Sequence, residues 1–174
     1  MGDQAVYRTA LYYGTLGGIA IFLFYIVLYI SELNLFGPIS MLGVWIPVVF
    51  LIKATRFHRD HNLAGFMTFR QGISIGFFTT AFHVTLFGLA FYLFGVLYAG
   101  DLVEMYRSAA LASEKAGRAV FSESIIDQTM ESIEMVNMAT LAYSQSFVKL
   151  VGGIITTLIT AAIFRRRPKS TLPL

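Results

Sequence analysis

The sequence predicts an all-α integral membrane protein of four transmembrane helices, with an extracytoplasmic helical segment between helices three and four. Three observations carry this. The 174 residues are 56% hydrophobic and only 13% charged, against roughly 25% charged in soluble domains, and the mean hydropathy is +0.68. The run 72–99 contains no Asp, Glu, Lys or Arg and is long enough to cross a hydrocarbon layer about 30 Å thick. The apolar runs are continuous rather than alternating, which selects helices over a closed barrel, because each helix satisfies its own backbone hydrogen bonds in lipid.

Residues 1–8 make a short polar start with one cation, Arg8. The first span is 9–30. It is longer than the apolar core of a signal peptide, and no small-residue cleavage site follows it, so it is expected to be retained. A link with Gly37-Pro38 turn chemistry leads to the second span, 39–54, where Pro47 predicts a kink. A basic linker carrying Lys53, Arg56, His58, Arg59, His61 and Arg70 then enters the third span, 72–99.

Residues 101–145 form the only sizeable hydrophilic stretch, with Asp101, Glu104, Glu114, Glu123, Asp127, Glu131 and Glu134 against Arg107, Lys115 and Arg118. Residues 101–116 are rich in helix formers, Gly117 breaks the run, and Ser122 or Ser124 caps a second helix. On that helix Glu123, Asp127, Glu131 and Glu134 share one side, while Ile125, Ile126, Met130, Ile133 and Val136 gather opposite. Surface-lying helices usually carry Lys and Arg on the polar face, so the acidic face favours a helical hairpin standing out of the membrane. The fourth span, 146–164, ends in Arg165-Arg166-Arg167-Pro168-Lys169. Lys149, near the start of that span, is expected to snorkel to the headgroups.

The basic linker and the C-terminal tail are the cationic ends, and with four spans they lie on the same side. By the positive-inside rule both termini are cytoplasmic and the acidic segment faces outward. The order Arg59-Asp60, Leu63-Ala64-Gly65-Phe66-Met67-Thr68-Phe69 and Gln71-Gly72 entering a span, with the acidic segment and the basic tail, resembles the domain-of-unknown-function 4199 family of small bacterial membrane proteins. The resemblance covers nearly the whole chain and implies four spans, a bacterial inner (cytoplasmic) membrane and no particular activity. His58 and His61 depart from the family pattern, so it implies no metal site.

His83, flanked by Thr79, Thr80 and Thr85, is the one histidine deep in an apolar run, and intramembrane ionisable groups are functional candidates by default. A neutral imidazole bonded to a neighbouring helix is the plain alternative; a place on a proton or ligand path is the functional one. Arg56, Arg59, Arg165, Arg166 and Arg167 are expected to contact anionic headgroups. Glu123, Asp127, Glu131 and Glu134 form a candidate partner-docking face. Gly14, Gly18, Gly72, Gly76, Gly152 and Gly153 suit close helix packing, with Thr156, Thr157 and Thr160 as interhelical polar contacts. His58 and His61 are too few for a metal site, and no cysteine, phosphate loop or catalytic constellation is present.

These features predict no enzyme, no cofactor and no nucleic-acid partner. They point to an interaction or accessory subunit of an envelope complex, in contact with the lipid bilayer and other membrane or envelope proteins. A small oligomeric transporter or channel using His83 is the alternative, and it would make the chain a homo-oligomer.

Overall fold

The computed structural model of the chain describes residues 2–118 and 122–166. Each apolar run is a helix, and most of the helices outrun the runs. α1 is Gly2–Ile30 and takes in the polar start, because no proline or glycine interrupts 3–13. It ends in a Schellman turn: Leu33 N–H donates to Leu28 O and Glu32 N–H to Tyr29 O, both at 3.0 Å. Glu32 sits there at φ +56°, a left-handed conformation that helix ends usually give to glycine.

The second span is one rod, Pro38–Asn62, wound three ways. A 3₁₀ stretch, Pro38–Val44, passes into α2, Trp45–Phe57, and then into a π turn, His58–Asn62. Pro47 lies in the first turn of α2, so its effect coincides with the change of winding and does not break the middle of the span. No proline or glycine occurs between Pro47 and Gly65, which is why the expected basic linker is helical through Asn62 and the loop shrinks to 63–68.

α3, Phe69–Leu97, opens with a capping box between Thr68 and Gln71. α4, Leu102–Arg118, and α5, Glu123–Glu134, are the two helices expected in the hydrophilic segment. Ser122 is the N-cap of α5, with its hydroxyl on Ser124 and not on the helix backbone. α6 is Met138–Phe164 and so starts before residue 146. Asn137 and Thr140 make a second capping box, with bonds of 2.9 and 3.0 Å, that nucleates it early.

α1, the Pro38–Asn62 rod, α3 and α6 are long and apolar enough to cross a membrane. α3 is central, packed on α1 and α6, and α2 touches all three. Small residues set the close approaches. A Cβ added at Gly14 would lie 2.7 Å from Thr79 O, and one at Gly72 would lie 2.8 Å from Ala161 Cβ. These glycines pack the bundle internally. One core cluster joins Ile21, Tyr25, Phe87, Phe91, Leu102 and Leu141; a smaller one at the other end joins Val6, Ala10, Ala54 and Ile75. Only 17–33% of the residues in the apolar windows are buried within the chain, so most of their side chains face lipid.

The two ends differ. At the basic end Met67 and Arg166 exchange backbone hydrogen bonds of 2.8 and 3.0 Å, and Asn62 Nδ2 donates to Thr9 Oγ1 at 3.2 Å. The second-to-third loop, the end of α6 and the first turns of α1 therefore lie together. At the opposite end Tyr29 OH donates to Asp101 Oδ1 at 2.8 Å, and α4 packs on α5. Arg107 Nη2 donates to Glu134 O at 2.7 Å and to Val136 O at 3.0 Å, placing a cation on the last carbonyls of α5. Ile126 is buried in this hairpin, while Ile125, expected beside it, stays 51% exposed.

Candidate functional site

Inside the bundle is a cavity of about 460 Å³ walled by α1, the Pro38–Val44 stretch with α2, α3 and α6. That volume falls within the roughly 300–1,000 Å³ of small-molecule sites. Thr79, Thr80 and His83 line it from α3, Tyr25 from α1, and Gln145 and Lys149 from α6.

α3 presents Thr79, His83, Phe87 and Phe91 as one buried stripe at every fourth residue. His83 stands at the midpoint of α3 and is 4% exposed. Its Nε2 is buried and has no hydrogen-bond partner among the described residues, so the satisfied imidazole, the plain alternative, is not formed at that nitrogen. α1 approaches this ring closely, for a Cβ on Gly17 would lie 3.0 Å from Nδ1. The threonines serve their own helices: Thr79 Oγ1 donates to Ile75 O at 2.7 Å, and Thr156 Oγ1 to Gly152 O at 2.8 Å. Thr160 does the same, and the Thr157 hydroxyl is buried without a partner. Among the described residues none of them makes an interhelical polar contact of the kind expected; the Thr156 and Thr160 hydroxyls reach their own i−4 carbonyls first. Thr85 is on the exposed side of α3.

The residue that changes the site is Lys149. It does not snorkel outward. Its ammonium donates to Tyr25 OH (3.3 Å), Gln145 O (3.3 Å) and Gln145 Oε1 (3.4 Å), and lies 4.1 Å from the Phe87 ring centroid and 4.8 Å from that of Tyr25. Tyr25 OH in turn donates to Gln145 Oε1 at 3.4 Å. No carboxylate of the described residues forms an ion pair with it. Because α6 begins at Met138, Lys149 sits about three turns inside the helix and not at its edge. The available signal was a lone cation within an apolar run.

The other expected sites are spread apart. His58 is buried, with Nδ1 3.1 Å from Asn62 Nδ2, whereas His61 is exposed and stacked on Phe57 at 4.3 Å. Among the described residues no three His, Asp or Glu side chains converge as a metal site would require. Arg59 is 7% exposed, held by Asp60 at 2.6 Å and lying 5.5 Å from the Phe164 ring centroid. It is therefore turned into the protein, unlike Arg56, Arg165 and Arg166, which are exposed at the basic end. Arg167 lies outside the described residues. Glu123, Asp127, Glu131 and Glu134 all lie on exposed positions of α5, and none of them lines the cavity.

A family model described as "Protein of unknown function (DUF4199)" matches residues 12–166. No curated protein and no solved structure matches the chain.

Proposed function

The chain belongs to the DUF4199 family of proteins of unknown function, and from that premise we propose that it is a small-molecule binding protein of the membrane interior, of the transporter class. The observation that carries this reading is the Lys149 ammonium, held in an interhelical cavity with no carboxylate of the described residues paired to it. A charge within a span is costly and marks ligand paths and relays. His83, with its unpaired Nε2, supports the same reading from the facing helix. The exposed cations of the basic end favour a cytoplasmic side there, with both termini inside and the α4–α5 hairpin outside. The family resemblance favours a bacterial inner membrane.

Native mass spectrometry in mild detergent tests it. The wild type is expected to retain a non-covalent adduct that Gly152→Phe loses, since a Cβ at Gly152 meets nothing within 4 Å and the added ring enters the cavity. Identical bare spectra from both proteins would count against a binding cavity.

A second reading, an accessory subunit of an envelope complex, rests on the exposed acidic positions of α5 and on the Arg107 bonds that fix the hairpin. It predicts chains that co-purify with the wild type and are lost on Glu131→Lys with Glu123→Lys. A homo-oligomer with nothing else attached would favour transport.

A further inference from the structure

Resting on the cavity reading above, we propose that the ligand is a fatty carboxylate that enters sideways from the lipid, with its head on Lys149 and its chain leaving between the Pro38–Val44 stretch and α6.

The charge of the site selects the head. A protonated Lys149 contributes one positive charge, and its neighbours Gln145 and Tyr25 are neutral hydrogen-bonding groups. No acidic side chain of the described residues pairs with it. A monoanion makes the site neutral; a dianion leaves it with a net negative charge in a low-dielectric interior, and a cation is repelled. A carboxylate matches a single ammonium beside the Gln145 amide and the Tyr25 hydroxyl. The site has no arginine to meet a phosphate by the forked pairing that phosphate sites favour.

The apolar walls of the cavity select the chain. Met41 and Val44 line the cavity from the second span, Val148 and Ile155 from α6. The same side chains are turned out of the bundle, with Met41 71% and Val148 65% exposed. On the same wall a Cβ at Gly152 would meet nothing within 4 Å. A polar solute has no reason to cross this apolar edge, whereas a hydrocarbon chain continues along it into the lipid. Trp45, the only tryptophan, follows Val44 directly and is itself exposed, so it reports on what passes there.

The test uses the full chain in phosphatidylcholine nanodiscs. Trp45 fluorescence is quenched by a chain-brominated fatty acid, which is then displaced by dodecanoate, methyl dodecanoate or dodecyltrimethylammonium, with affinities compared per mole fraction in the bilayer. Dodecanoate is expected to bind roughly tenfold or more tightly than the ester, as a hydrogen-bonded charge pair implies, and the ammonium compound most weakly. Lys149→Met erases the preference, Lys149→Arg keeps it, and Gly152→Phe abolishes displacement by all three. Equal binding of acid and ester by the wild type overturns the carboxylate and leaves the cavity reading standing. Unchanged binding in Gly152→Phe overturns the cavity reading itself. Displacement by phosphatidylglycerol as effective as by dodecanoate overturns the carboxylate in favour of a phosphodiester. If Lys149→Met does not fold, the wild-type comparison of acid with ester decides alone.

Discussion

The Lys149 ammonium of α6 lies 4.1 Å from the Phe87 ring centroid of α3, so a cation and an aromatic face join two extensively packed helices beside the cavity. Phe87 is fully buried. Phe87→Ala is expected to destabilise the protein by about 3–5 kcal/mol through the cavity it leaves. Phe87→Leu keeps most of the volume and loses the ring face, costing about 1–2 kcal/mol. Thermal unfolding in detergent, followed by light scattering, checks the order; equal effects would mean that the ring face, and not the filled volume, carries the stabilisation.

The Met67 and Arg166 backbones close the basic end with bonds of 2.8 and 3.0 Å. Arg166→Pro removes the N–H that donates to the buried Met67 carbonyl and is expected to cost about 1–3 kcal/mol. Arg166→Ala, which keeps that N–H and changes only an exposed side chain, is expected to be silent. Midpoints of chemical unfolding for the two variants decide whether the bridge holds the tail.

Glu32 occupies the left-handed position of the turn after α1, at φ +56°. Glu32→Gly is expected to stabilise by about 0.5–1 kcal/mol, since the folded-state strain it relieves exceeds the added freedom of the unfolded chain. Glu32→Ala keeps the strain, and no gain is expected from it. A rise in both variants would trace the effect to the lost charge instead.

Sidedness is open to a direct measurement because the chain has no cysteine. His61→Cys at the basic end and Ser124→Cys on the hairpin each introduce one thiol at an exposed position. With a membrane-impermeant maleimide on intact cells, Ser124→Cys is expected to label and His61→Cys only after lysis. The reverse pattern would invert the topology.

The four helices were legible in the sequence because lipid leaves a long charge-free segment one way to satisfy its backbone. The hairpin was legible because period-3.6 patterning survives in a polar segment. The ends of the helices were harder to read. The Asn137–Thr140 box starts α6 at Met138, and the helix through His58–Asn62 carries basic residues that composition alone assigns to a loop. Those shifts decide the chemistry: moving the start of α6 carries Lys149 from the expected edge to about three turns inside the helix.

By itself the sequence determined class, span number, the acidic hairpin and the interest of His83. Only the tertiary structure decided that Lys149, Tyr25 and Gln145, from helices far apart in the chain, meet around one cavity, and that Arg59 turns inward. The physical reason is that a periodic pattern records which side of a helix is apolar. It does not record the rotation and depth at which one helix meets another, which here follow from close approaches such as Gly14 on Thr79 and Gly72 on Ala161.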